Sequence, residues 1–354
     1  MIAKFRRNVA GATGTTLSSS IIRNTTVRSV MSSRFLSGAF AAVLLVSGAT
    51  GAFADNWPSR TIKLIVPFPP GGAADITARV YADKLGEALK QTVVVENKAG
   101  AGTAIAADAV AKADPDGYTL SLAPAGQLTI LPHINKTISY DPFKSFTPVA
   151  MLTSVPYVLA ASPDTPVSSV KELVAAAKRE PGKFTYSSCG PGTLCHLSGE
   201  LFKSLTETDL LHVPFKGSAP AVNALLGNQV NLSFDTLTVL APQIRDGKVK
   251  GLVITSRERS SQLPDVPTPA EAGVADFVVD SWFGLVVPAG TPDAIVDRLN
   301  AEVVRIGALP DVRERLEKQG LSITTSTQAA FAKTIKDDYA RWGRVVDASG
   351  AKLF

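Results

Sequence analysis

Two glycine-rich loops, Pro67-Phe-Pro-Pro-Gly-Gly-Ala-Ala-Asp75 and Ser187-Ser-Cys-Gly-Pro-Gly-Thr193, each lie between a strand pattern and a helix pattern. That strand, loop, helix order, used twice about a hundred residues apart, commits the chain to an α/β fold. The first loop follows the β-branched run Thr61 to Val66 and precedes a helical stripe of Ile76, Val80, Leu85 and Leu89, with Asp75 as the expected N-cap. The second follows Phe184 to Ser187 and precedes Leu197, Leu201 and Leu205, with Thr193 as the expected N-cap. Helix starts leave N–H groups without intrahelical partners and carry partial positive charge, so each loop is a candidate anion cradle. The competing reading is purely geometric, because Gly and Pro at strand-to-helix turns often serve only the turn.

The alternation continues between the loops and beyond them. Thr92 to Glu96, Tyr118 to Ala123, Leu210 to Phe215, Val230 to Asp235 and Val249 to Thr255 read as strands. Ser169 to Arg179, with Ser169 and Glu172 as a capping box, and Ala219 to Leu226 read as helices. This pattern predicts mostly parallel sheets. Val155 to Pro163 and Val278 to Val287 have the character of strands crossing between two lobes, and the stretch from Pro292 onward is mainly helical.

The N-terminus addresses the chain. Phe35 to Ala54 is an apolar, small-residue run after Arg34, and Ala52-Phe53-Ala54 fits a signal-peptidase site, so residues 1–54 read as a signal peptide cleaved after Ala54. Met31 is an alternative translation start; an uncleaved anchor and a twin-arginine signal at Arg6-Arg7 are the competing readings. The expected compartment is the periplasm. The net charge of +5 belongs to this presequence: of 36 Lys and Arg, six lie in residues 1–54 with no acid, leaving 30 against 31 Asp and Glu. A near-neutral body with no basic run excludes nucleic acid as a natural partner.

With these features in place, an ordered set of motifs becomes informative. Pro67 to Asp75, Glu96-Asn-Lys-Ala-Gly-Ala-Gly102, Asp114-Pro-Asp-Gly-Tyr118, Ser188 to Thr193 with His196-Leu-x-x-Glu200, Val213-Pro-Phe-Lys-Gly217 and Leu263-Pro-Asp-Val-Pro-Thr-x-x-Glu271 resemble the Bug family. These are extracytoplasmic solute-binding proteins of tripartite tricarboxylate transporters, and the resemblance covers essentially the whole mature chain. It implies a two-domain periplasmic binding-protein fold of type II-like character, two lobes joined by crossing strands around a cleft. The expected division is 55–156 with 282–354 as one lobe and 157–281 as the other. It also implies a small carboxylated solute, delivery to the membrane subunits of a permease, and a monomer. Presentation to a sensor kinase is the alternative partner, and a Cys189-dependent enzyme is a third class.

For the site, the first loop contributes Phe68, Pro70, Gly71, Gly72, Ala73 and Asp75, and the second contributes Ser188, Cys189, Gly190, Gly192 and Thr193. Backbone N–H groups at Gly71, Gly72 and Ala73, and near Cys189, Gly190, Gly192 and Thr193, are the expected carboxylate donors. The resemblance adds Ala125, Gly126, Gln127 and Asp235. Asp235 either accepts from a ligand ammonium or hydroxyl or caps the helix after it, and Lys216 either pairs with a carboxylate or is an exposed turn lysine. Phe68, Phe215 and Trp282 either line an apolar slot or pack the core. Cys189 and Cys195, six apart in an oxidising compartment, allow a disulfide, and Cys189 at a helix start also allows a nucleophilic thiol. No cofactor and no metal are expected: His133, His196 and His212 have no metal-ligand spacing, and Asp114 to Gly117 reads as a turn rather than a calcium loop.

Overall fold

A computed structural model describes residues 57–349, so the expected signal peptide and cleavage point lie outside the described residues. The chain builds a mixed sheet whose two halves share one long strand. In the first half, β1 (Ile62–Val66) lies between β2 (Val93–Asn97) and β3 (Thr119–Pro124), parallel to both. In the second, β5 (Thr185–Ser188) lies between β6 (Leu211–Pro214) and β7 (Leu232–Thr236), again parallel to both. Helices connect these strands: α1 (Ala73–Leu89), in the stretch the sequence marks as helical, and α2 (Ala104–Ala111), then the short α3 (Ala125–Thr129) and α4 (Leu131–Ile134) after β3, which it does not mark. In the second half, α5 (Val170–Arg179) precedes β5, α6 (Leu194–Thr206) and α7 (Ser218–Leu226) follow β5 and β6, and α8 (Leu237–Arg245) follows β7.

The long strand is β4 (Phe146–Ala161). Its Phe146 to Pro156 segment pairs antiparallel with β9 (Asp280–Pro288), and its Tyr157 to Ala161 segment pairs antiparallel with β7 and largely with β8 (Lys250–Ile254). The changeover at Pro156/Tyr157 is stapled by Thr255. Its backbone N–H donates to the Tyr157 carbonyl and its Oγ1 accepts from the Tyr157 N–H, while the Val279 N–H donates to the Thr255 carbonyl. The expectation of mostly parallel sheets is therefore corrected: five of the nine strand pairings are antiparallel, and all five involve β4 or β9. These two strands join the halves directly and are not part of local strand–helix–strand units, so short-range alternation carries no signal of their direction.

Both faces of the sheet are covered. Along β1, Ile62, Leu64 and Val66 point to one apolar layer and Ile65 to the other; along β4, Val158 and Ala160 face the first while Tyr157, Leu159 and Ala161 face the second. The first layer is closed by α1, α7 and α8 with α9 (Asp293–Gly307) and α10 (Pro310–Glu317). The second is closed by α2 to α6 and the C-terminal α11 (Gln328–Ser349), which sends Phe331, Ile335 and Trp342 inward. A short β10 (Ser322–Ile323) pairs with β4. Strands buried on both faces read as continuous apolar runs, which is why they are conspicuous in the sequence.

Candidate functional site

The carboxyl ends of the parallel strands in both halves converge on one cavity of about 620 Å³, a volume that includes its mouth. This is where open α/β sheets characteristically bind ligands. From the first half come Phe68, Pro70, Gly72 and Ala73 after β1, and Gly126 and Gln127 after β3. The second half supplies Cys189 and Thr193 after β5, and Asp235 from the end of β7. The two halves touch around it. A β-carbon on Gly102 would lie 2.1 Å from the Pro191 carbonyl oxygen, and one on Gly217 would lie 2.8 Å from the Pro69 ring. The loops close over the cavity at separations only glycine permits.

Gly71, Asp75, Ala125, Ser188, Gly190, Gly192 and Lys216 do not line this cavity. Lys216 and Gly190 line an outer groove with Phe215 and Pro191. Ala125 starts α3 and is buried. Trp282 is also buried, its Nε1 donating to Asp338 on α11 at 2.7 Å.

The expected donor set is revised in the same way. The N-cap of α1 is Gly72, so Asp75 sits at the third helical position and not at the cap. Its Oδ2 accepts the Gly71 N–H at 3.0 Å and Arg79 Nε at 2.9 Å, while Oδ1 accepts from Asn97 at 3.0 Å. Burial raises the Asp75 pKa, but these hydrogen bonds outweigh it and hold the carboxyl below the usual carboxylate range. In the second loop the Gly190 N–H donates to Ser188 Oγ and the Gly192 N–H to His196 Nδ1, each at 3.3 Å. The N–H groups of Gly71, Gly190 and Gly192 are thus taken up inside their own loops. What faces the cavity instead is the first turn of each helix, at Ala73 and Ala74, Leu194 and Cys195, and Ala219, where N–H groups have no intrahelical acceptor. Thr193 caps α6 as expected, its Oγ1 accepting from the His196 N–H and donating to the Gly190 carbonyl at 2.6 Å.

Cys189 and Cys195 are disulfide-bonded, with Cα atoms 5.7 Å apart, and both line the cavity. The bond ties the loop to the first turn of α6 and leaves no thiolate there.

Several buried polar groups in the cavity have no partner in the protein: both amide atoms of Gln127, Asp235 Oδ2 and Thr103 Oγ1. Asp235 Oδ1 is occupied, accepting from Ser218 Oγ at 2.9 Å and from the Thr236 N–H at 2.7 Å. Thr236, not Asp235, is the N-cap of α8. Complete burial pushes the Asp235 carboxyl up to about 6, partly offset by those two donors. Among the described residues, no Lys, Arg or His lines the cavity, so any partial positive charge that faces it comes from helix starts and polar N–H and O–H groups. Thr103, Tyr157, Ser218 and Ser281 are lining residues the sequence reading did not single out. Thr103, the cap of α2, and Ser218, the first residue of α7, follow parallel strands, a position that singles them out, whereas Tyr157 and Ser281 belong to the crossing strands and carry no local motif.

Among the described residues no group of three or more His, Cys, Asp or Glu could hold a metal, and no helix is long and apolar enough to cross a membrane.

Sequence and structure comparisons agree with this geometry. The tripartite tricarboxylate transporter family receptor model matches residues 77–351. Protein BugT of Bordetella pertussis is 38% identical over 301 residues, 85% of this chain and 92% of BugT. The periplasmic binding protein BugD superposes with a TM-score of 0.80 at 36% identity, covering 84% of this chain and 99% of its own. MatC from Rhodopseudomonas palustris with bound malate superposes with a TM-score of 0.78 at 36% identity, covering 82% and 100%. With its two-half α/β fold, its cavity between them and these relatives, the chain belongs to the tripartite tricarboxylate transporter receptor family, the Bug proteins, a family of periplasmic solute-binding proteins and not of enzymes.

Proposed function

We propose that this protein captures a small carboxylated solute between two lobes, residues 55–156 with 282–354 and residues 157–281, and delivers it to the membrane subunits of a tripartite permease. The observation that carries this reading is the set of unpartnered polar atoms, on Gln127, Asp235 and Thr103, buried in a cavity into which helix starts from both halves open. A buried polar atom without a partner costs about 1–3 kcal/mol, so a bound solute that supplies partners gains that much selectively. Helix starts favour carboxylates, and Asp235 Oδ2, once ionised, favours a solute that also carries a hydroxyl or ammonium. Related binding proteins point the same way, since MatC holds malate, a hydroxyl-bearing dicarboxylate. The changeover of β4 at Pro156/Tyr157 and the entry into β9 at Asp280 supply two strands about which lobes can hinge.

The test is a thermal-shift screen of protein denatured and refolded to strip any carried-over solute. Its arms are dicarboxylates, hydroxy-dicarboxylates, tricarboxylates, aromatic carboxylates and acidic amino acids. A saturable rise in Tm with at least one of these classes supports the reading. No rise with any of them contradicts it.

A further inference from the structure

The two glycine loops share a device. In each, a glycine with positive φ, Gly71 at 93° and Gly192 at 77°, precedes the N-cap of a helix, and its N–H donates to the side chain at the third helical position. Only glycine adopts that backbone readily, and the reach from the third position is a variant of the capping box displaced by one residue. The acceptors differ in chemistry. Asp75 is an anion neutralised by Arg79 at 2.9 Å. His196 accepts through Nδ1, so its neutral ring carries its proton on Nε2.

The surroundings of His196 keep it neutral. Its ring stacks on His212 with centroids 4.1 Å apart and an interplanar angle of 14°. His212 in turn stacks on Tyr186 at 4.9 Å and lies 2.6 Å, Nε2 to Oγ, from Ser188. Ser188 Oγ accepts the Gly190 N–H, so both glycines of the loop are held from this column, one directly and one through Ser188. The ionisable groups acting on the pair are Glu200 and Lys203, on the helix of His196, and His196 on His212; β5 presents Tyr186, whose hydroxyl donates to Glu200 at 2.6 Å, and β7 presents the Phe234 ring to Tyr186. From α11 no charged side chain among the described residues pairs with either ring. Burial lowers the pKa of both histidines, that of His212 to about 3.

We infer that His196 is a positioning residue of the binding site, its neutral imidazole fixing the second glycine loop through the Gly192 N–H, and that protonation of His196 releases that loop and weakens solute binding. Protonated at Nδ1, the ring would present a donor to a donor, and Gly192 would lose its acceptor. The first loop has no such sensitivity, because Asp75 remains ionised over the same range. This asymmetry makes only the second loop acid-labile.

The inference rests on the solute-binding reading for its affinity readout, but its first test does not. In 15N-labelled protein, the Gly192 amide resonance of the wild type should move with acidification in step with the His196 ring. In His196→Asn it should stay in place, since Asn offers a neutral acceptor at the position where Asp75 already reaches Gly71. A Gly192 amide that is insensitive to pH, and unmoved by His196→Phe, overturns the inference whether or not any carboxylate binds. The second test uses malate as probe. His196→Phe should weaken binding at pH 7 at least tenfold, His196→Asn should restore it to within about threefold, and only the wild type should lose further affinity relative to Asn as acidification protonates the His196 ring, followed by its NMR shift. Equal affinities and parallel pH profiles for all three proteins would leave His196 merely structural and overturn the positioning role.

Discussion

At the residue scale, Asp235 combines two properties that oppose each other in the absence of solute. It is fully buried, yet only one of its oxygens has protein partners. Its folded pKa of about 6 lies above the ordinary carboxyl value of 3.8. The folded state therefore binds more protons than the unfolded state between those values, and the stability contributed by this group is present below 3.8 and lost as pH rises through 6. A shift of this size corresponds to about 3 kcal/mol. His212 has the opposite sign: its folded pKa is depressed to about 3, so its contribution is present above 6.5 and lost as pH falls toward 3. Asp235→Asn should consequently gain stability relative to wild type at pH 7 and gain nothing at pH 4, measured by chemical denaturation at both. An equal effect at the two pH values would contradict the buried, proton-linked carboxyl. The same variant should lose selectivity for hydroxylated over plain dicarboxylates, measured as the ratio of the two affinities. Of the polar residues lining the cavity, Thr193 stands in a sequence motif and Asp235 at a strand end, whereas Gln127 enters only through the family resemblance. What was not legible is which N–H groups are already taken, because Asp75 and His196 claim Gly71 and Gly192 through side-chain reach that no spacing rule encodes.

The elements show where local pattern suffices and where it fails. The helices α6 and α7 start within one residue of where their caps and glycines place them, because capping is a contact between near neighbours, whereas α1 starts at Ala73 with Gly72 as its cap, three residues ahead of the expected cap Asp75. Thr193→Ala should remove about 1 kcal/mol of that capping, seen as a lowered midpoint in denaturant. An unchanged midpoint would mean that the disulfide alone sets the start of α6. That disulfide closes a short loop with a separation of six residues, for which chain entropy gives roughly 2 kcal/mol. Reduction with dithiothreitol, or Cys189→Ser with Cys195→Ser, should lower the midpoint by a corresponding amount, and no change would show the loop already held by Thr193 and His196. Strand β4 is the counter-example: the sequence marks Val155 to Pro163, but pairing with β9 extends the strand back to Phe146. Partners more than a hundred residues away decide its length, so its extent and antiparallel direction are invisible locally.

For the whole molecule, the repeated strand, loop and helix order was readable on either side of a proline-marked strand. The contacts that bring Gly102 to Pro191 and Gly217 to Pro69 were not, since they depend on how the halves meet. Those contacts line the outer groove beside the cavity and bring the two halves together there. The most direct measurement is a calorimetric titration of the solute-stripped protein with malate, citrate, an aromatic carboxylate and an acidic amino acid, run beside a protein carrying Gln127→Leu together with Asp235→Asn. Binding at one site per chain that the double variant weakens at least tenfold is the predicted result. Heat of binding unaffected by those substitutions, or no binding by any of the four acids, would contradict a carboxylate-binding cavity between the two halves.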